Sequence, residues 1–164
     1  MIDEELRAAA GRVLDACRAH RLKLAVAESC TGGLLAAALT EIPGSSDVLD
    51  RGFVTYSDAA KQAMLGVPAS VLERSGAVSQ KTAEAMAAGA LERSGADLSA
   101  AVTGVAGPGG GTAEKPIGLV HFAAARASGR LLHRERRYGD LGRAEIRRRS
   151  VLEALAMLEE LASA

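Results

Sequence analysis

Leu24-Ala25-Val26-Ala27-Glu28-Ser29-Cys30-Thr31-Gly32-Gly33 is the stretch whose reading decides the fold. Four apolar residues in unbroken succession predict a strand covered on both faces, not the alternation of a half-exposed one. The run ends at Glu28-Ser29, and Thr31-Gly32-Gly33 then opens an Ala/Leu-rich helix that reaches about Glu41. A buried strand handing over to a helix through a short polar turn is the building unit of α/β proteins.

The flanking sequence repeats that unit. Upstream, Ile2, Leu6, Ala9, Ala10, Val13, Leu14 and Cys17 recur at the spacing of one helical face. Downstream, Pro43-Gly44-Ser45-Ser46 is turn chemistry, and Gly52-Phe53-Val54-Thr55-Tyr56 reads as a second strand. Ser57 or Asp58 suits the N-cap of a short helix that Gly66 ends, Pro68 opens another toward Arg74, and Ser79 caps a longer one to about Ser94-Gly95. Leu98 to Thr103 is a third buried strand, and 117–125 with 130–138 reads as a hairpin turning near Ser128-Gly129. The closing helix runs from about Gly142 to Leu161. The expected class is α/β: one domain over residues 1–164, three layers α/β/α, with a mixed sheet.

Composition narrows the function. At 164 residues the chain can bury a core without disulfides or metals. Its formal net charge is zero, with no Trp, two Tyr and two Phe, which argues against a nucleic-acid partner on both electrostatic and stacking grounds. Cys17 and Cys30 fall on different elements and no charged-then-apolar leader is present, so the expected location is the cytoplasm. No apolar run approaches the roughly 18 residues that span a bilayer, so no membrane role is expected. His20, His121 and His133 form no ligand spacing with the cysteines, so no metal and no cofactor are expected. Four lysines, Lys23, Lys61, Lys81 and Lys115, stand among twenty basic residues, which makes each lysine's position informative.

Ser29 occupies the strand-to-helix handover, where α/β folds present side chains and free amides. Two readings fit it: an N-cap, or a nucleophile whose following amides form an oxyanion hole. Gly32 and Gly33 favour the second, since each Gly in a helix's first turn costs roughly 0.5–1 kcal/mol against Ala and invites close approach to the backbone. Cys30 is the rival nucleophile, its alternative being a small buried hydrophobe facing the opposite side from Ser29. Tyr56 and Lys61 can project over the same sheet edge, or serve as packing and as a solvated helix face. For Lys61 to deprotonate a serine its pKa must fall from about 10.4, which an aliphatic pocket can bring about. Serine–lysine pairs do replace serine–histidine pairs in hydrolases. The Thr103–Thr112 loop is either an anion cradle or a connector; it lacks the endings of a P-loop or a dinucleotide fingerprint. Arg143, Arg147 and Arg148 at the start of the last helix oppose its dipole, which hints at an anion nearby, while a solvated cluster covers Arg148 and Arg149.

Ala27-Glu28-Ser29-Cys30-Thr31-Gly32-Gly33, Gly52-Phe53-Val54-Thr55-Tyr56-Ser57 with Lys61, Gly76-Ala77-Val78-Ser79, Thr103-Gly104-Val105-Ala106-Gly107-Pro108 with Gly110-Gly111, and Glu114-Lys115-Pro116-Ile117-Gly118 together resemble the CinA C-terminal domain family of nicotinamide-nucleotide amidohydrolases. The resemblance covers nearly the whole chain. It implies hydrolysis of the carboxamide of nicotinamide mononucleotide to nicotinate mononucleotide and ammonia, in pyridine-nucleotide salvage. It places the catalytic serine, tyrosine and lysine on Ser29, Tyr56 and Lys61. Substrate binding then falls to Cys30, Thr31, Gly32 and Gly33, to Thr103, Gly104, Gly107, Gly109 and Gly110 of the loop, and to Arg143. Asp58 stands where many relatives carry Asn, and Gly109 where some carry Asp. The resemblance also implies a stand-alone enzyme that assembles as a homo-oligomer. Two other functions fit the same residues: a non-catalytic nucleotide-binding or regulatory module, and a serine hydrolase of another amide or ester.

Overall fold

In the computed structural model, which describes residues 2–164, the run that opens at Leu24 is strand β1 (Leu24–Glu28), and all five of its residues are buried. Strands β2 (Leu49–Val54) and β3 (Leu98–Gly104) pair with it in parallel, one on each side. The hairpin of β4 (Leu119–Arg126) and β5 (Leu131–Arg137) adds two antiparallel strands beyond β3, so the order across the sheet is β2-β1-β3-β4-β5. The mixed three-layer α/β domain expected from the sequence is the fold observed.

Helices α1 (Glu4–Ala19), α2 (Leu34–Thr40) and α6 (Arg143–Ala162) cover one face, and α3 (Asp58–Leu65), α4 (Ala69–Ser75) and α5 (Gln80–Ser94) the other. This split follows from handedness. The chain leaves β1 leftward to β2 through α2 and returns rightward to β3 through α3–α5, and right-handed crossovers in opposite directions must lie on opposite faces. A crevice therefore opens at the carboxyl ends of β1 and β3, where the connections diverge.

Local chemistry sets the helix ends. Ser57 Oγ accepts from Ala60 N and Ser79 Oγ from Thr82 N, while Gly66 and Gly95 close α3 and α5 in the left-handed conformation at φ 66° and 68°. The second strand ends two residues before Tyr56. Thr55 N still donates to Glu28 O, but the chain then turns out of the sheet to place Ser57 as a cap.

The two faces differ in what they bury. Toward α1, α2 and α6 the strands present Leu24, Val26, Leu98, Val102, Val120 and Phe122. Toward α5 they present Ala25, Ala27, Ala101, Ala123 and Ala125, against Ala83, Ala87 and Ala90 of the helix. Short side chains on both partners let α5 lie close to the sheet, and Gly89 lets α3 lie close to α5: a Cβ at Gly89 would stand 2.0 Å from the Leu65 carbonyl oxygen.

Candidate active site

Ser29 follows the last residue of β1 and continues its alternation on the alanine face with Ala25 and Ala27, whereas Cys30 joins the core of the opposite face. On the alanine face α3 delivers Lys61, whose side chain is 1% exposed. Lys61 Nζ lies 3.0 Å from Ser29 Oγ and donates to Thr55 O at 2.8 Å. Burial pushes the Lys61 ammonium below the ordinary lysine value, with Asp58 opposing. A lysine without a carboxylate partner in an aliphatic setting is held toward its neutral, proton-accepting form.

Ser29 and Lys61 stand at the floor of a cleft of about 290 Å³. Thr103, Gly104, Gly107, Gly109, Gly110 and Arg143 line it together with Cys30 and Tyr56, so ten of the residues singled out in the sequence meet there. Thr103 Oγ1 donates to Ala77 O at 2.7 Å, which ties the end of β3 to the segment before α5. Tyr56 is exposed at the rim, where its hydroxyl oxygen accepts from Arg143 Nη2 at 2.7 Å. The other Arg143 terminal nitrogen donates to Gly107 O at 2.9 Å, so one guanidinium bridges the two walls. Among the described residues, the amides of Gly109 and Gly110 donate to no protein acceptor.

Thr31, Gly32 and Gly33 do not line the cleft. Thr31 is fully buried, and its carbonyl accepts from Arg147 Nη2 at 2.8 Å. The two glycines answer to backbone conformation, not to an approaching group: their φ values are +55° and +97°, and added Cβ atoms would meet nothing nearer than 3.7 Å. Nor is Ser29 an N-cap, because α2 starts at Leu34 with Gly33 as its cap residue. The first-turn amides expected to stand free are taken by Glu28, whose carboxylate accepts from Gly33, Leu35 and Ala36 at 2.9–3.0 Å.

Burial pushes the Cys30 thiol up to about 12, with the Glu28 carboxylate acting in the same direction, so Cys30 is a poor nucleophile beside Ser29. The arginines at the start of α6 also diverge. Arg148, expected to be solvated, pairs with Asp3 and Glu5, each at 2.5 Å, and fastens α6 to α1. Ala77, Val78, Val105 and Ala106 supply aliphatic wall that residue-by-residue reading did not single out, although all four lie in the quoted motifs. The missed Glu28 left one signal: an acid on a strand covered on both faces must find donors.

Among the described residues no group of three or more His, Cys, Asp or Glu is placed to hold a metal ion, and no helix is long and apolar enough to cross a membrane. A mixed α/β domain with a buried serine–lysine pair at the carboxyl edge of its parallel strands is the class that fold and cleft define. Residues 6–162 match the CinA C-terminal domain model, and the chain belongs to that family. It is 55% identical over 147 residues to a CinA-like protein of Synechococcus sp. (strain RCC307), covering 89% of this chain and 35% of that protein. The chain thus spans about a third of that relative's length. Among solved structures, competence/damage inducible protein CihA from Agrobacterium tumefaciens superposes with a TM-score of 0.96 at 54% identity over 98% of each chain. A CinA superfamily protein from Klebsiella pneumoniae 700603 does so with a TM-score of 0.91 at 36% identity, over 96% of this chain and 98% of its own.

Proposed function

We propose that this chain hydrolyses the carboxamide of nicotinamide mononucleotide to nicotinate mononucleotide and ammonia, with Ser29 as nucleophile. The observation that carries the reading is the 3.0 Å approach of a fully buried lysine amine to the Ser29 hydroxyl. Lys61, neutral, takes the hydroxyl proton as Ser29 Oγ bonds to the carboxamide carbon and the C=O π pair moves to oxygen. The tetrahedral intermediate then collapses, the C–N bond breaks, and the proton held on Lys61 passes to the departing nitrogen as ammonia. Water, deprotonated in turn by Lys61, attacks the acyl carbon; the ester C–Oγ bond breaks, Ser29 Oγ takes that proton back from Lys61, and the acid product leaves, losing its own proton to solvent to become the carboxylate.

Tyr56 receives its hydrogen bond from Arg143, which leaves its own O–H free to meet the substrate or the leaving amine. Arg143, with the free Gly109 and Gly110 amides, offers the anion site that a nucleotide phosphate needs. The choice of a pyridine mononucleotide rests on the family resemblance and is supported by an aliphatic wall beside one cationic rim. A cytoplasmic location, assembly as a homo-oligomer and a requirement for neither metal nor cofactor belong to the same proposal.

The test is ammonia release from nicotinamide mononucleotide without added metal or cofactor, by the wild-type chain and Ser29→Ala in parallel. Release by the wild type alone supports reaction and nucleophile together. Equal release by Ser29→Ala removes the nucleophile, and silence from a folded wild type removes the substrate and directs the assay to other amides or to binding without turnover.

A further inference from the structure

Seven of the nine backbone donors from Ser29 to Ala37 have an acceptor. Ser29 N donates to Val102 O, Gly32 N to Ser29 O, Leu34 N to Thr31 O and Ala37 N to Gly33 O. Gly33, Leu35 and Ala36 donate to the Glu28 carboxylate. Among the described residues, only the amides of Cys30 and Thr31 find no carbonyl or carboxylate acceptor; Thr31 is fully buried away from the cleft, whereas Cys30, which follows the nucleophile and whose amide has only its own thiol beside it, lines the cleft.

Glu28 is fully buried, and among the described residues no cationic side chain pairs with it; its carboxyl oxygens are met by these three amides. An acid in such a place is costly unless its hydrogen bonds do work that an apolar residue would not. Its main-chain oxygen is fixed to Thr55 N at 2.8 Å while its side chain grips the backbone five to eight residues ahead. The Ser29–Gly32 turn is therefore held at both ends by one residue, and Arg147 adds a third hold on the Thr31 carbonyl.

We propose that Glu28 is a positioning residue: by engaging the amides of Gly33, Leu35 and Ala36 it fixes the turn so that the Cys30 amide remains beside Ser29 Oγ as an oxyanion donor. The inference rests on the acyl-transfer reading of Ser29. A preorganised donor contributes to the transition state and little to substrate binding.

Glu28→Gln keeps the shape but turns an NH2 toward at least one of the amides that need an acceptor. It is expected to lower kcat for ammonia release by about 10²–10³-fold, the loss typical of a displaced oxyanion donor, with KM changed only a few-fold. A folded Glu28→Gln with wild-type kcat overturns the proposal, as does a loss confined to KM. The second measurement uses the wild type and needs neither the variant's folding nor turnover. In amide hydrogen exchange, Gly33, Leu35 and Ala36 are expected to be protected and Cys30 to exchange faster; equal protection of all four overturns the assignment. Ammonia release retained by Ser29→Ala would instead bring down the acyl-transfer reading itself, independently of the exchange pattern.

Discussion

The two faces of the sheet are built on different terms. The face under α1, α2 and α6 is filled with Leu, Val and Phe side chains. The face under α3 and α5 is lined by alanines interleaved with buried polar groups: Ser29, Thr55, Lys61, Thr82, Ser99 and Thr103. Each arrangement has its physical use. Large aliphatics on the first face bury the most apolar area per residue and supply stability. Alanines on the second supply little, but they bring the helices close enough for a lysine on one of them to reach a serine at the sheet edge, in surroundings dry enough to depress that lysine's pKa. The stabilising face and the reactive face can therefore be damaged separately.

The largest separation is expected at Lys61. Lys61→Met should lower ammonia release by about 10⁴-fold, the upper range for a positioned proton acceptor. The thermal midpoint should not fall, because the substitution exchanges a buried amine for an apolar side chain of similar length. The pH dependence has a definite sign. Lys61 titrates below the usual lysine value, so the folded chain holds fewer protons there than the unfolded chain between its folded pKa and 10.5. Stability rises with pH across that window, and this contribution is lost as pH falls through the folded pKa. The kcat–pH profile should show a rising limb displaced below 10.5 in the same sense, and Lys61→Met should flatten the stability slope. A lower midpoint in the variant would remove the idea that this lysine is retained at the expense of stability.

Phe122→Ala is the mirror experiment on the other face. Phe122 is fully buried there, and its truncation should cost about 3–5 kcal/mol in chemical denaturation. Below the unfolding transition kcat should stay at the wild-type value. A comparable loss of kcat would show that the faces are mechanically coupled.

Gly89→Ala tests the contact that seats α3. The new Cβ would stand 2.0 Å from the Leu65 carbonyl oxygen, a backbone atom that can move only if α3 moves. A cost of about 1–3 kcal/mol is expected from the overpacking. Turnover measured on the folded fraction should fall as well, because the displaced helix carries Lys61. Stability loss with full turnover would mean that α5 gives way instead.

What the sequence made legible follows the same division. Strands and helix ends were readable because their causes are local: an unbroken apolar run at Leu24–Ala27, hydroxyl caps at Ser57 and Ser79, left-handed glycines at Gly66 and Gly95. Ser29, Tyr56 and Lys61 could each be suspected, but the Ser29–Lys61 approach joins residues 32 apart and depends on how closely alanine layers pack. Gly32 and Gly33 were misleading in their cause, since a glycine required for φ and one required for space look alike in sequence. Glu28 was overlooked because its partners are main-chain amides, which carry no residue identity. Arg148 was read as solvated because its partners Asp3 and Glu5 lie at the opposite end of the chain.

The smallest expected effect compares two helix caps. Ser57 Oγ caps α3 on the reactive face, and Asp3 caps α1 on the other by accepting from Leu6 N. Ser57→Ala should cost about 1 kcal/mol, the usual value for a lost hydroxyl cap. Lys61 N would still donate to the Ser57 carbonyl, so the helix should fray at its start without releasing Lys61, and kcat should fall only a few-fold. Asp3→Ala should lower stability at neutral pH, and its effect should vanish in acid. The Arg148 guanidinium and the Leu6 amide hold the Asp3 carboxyl below its ordinary value, so its contribution is lost as pH falls through that lowered value. Turnover should be unchanged, because α1 carries no group of the cleft. Equal losses of turnover in the two variants would mean that the reactive face senses helix stability in general, not the seating of Lys61.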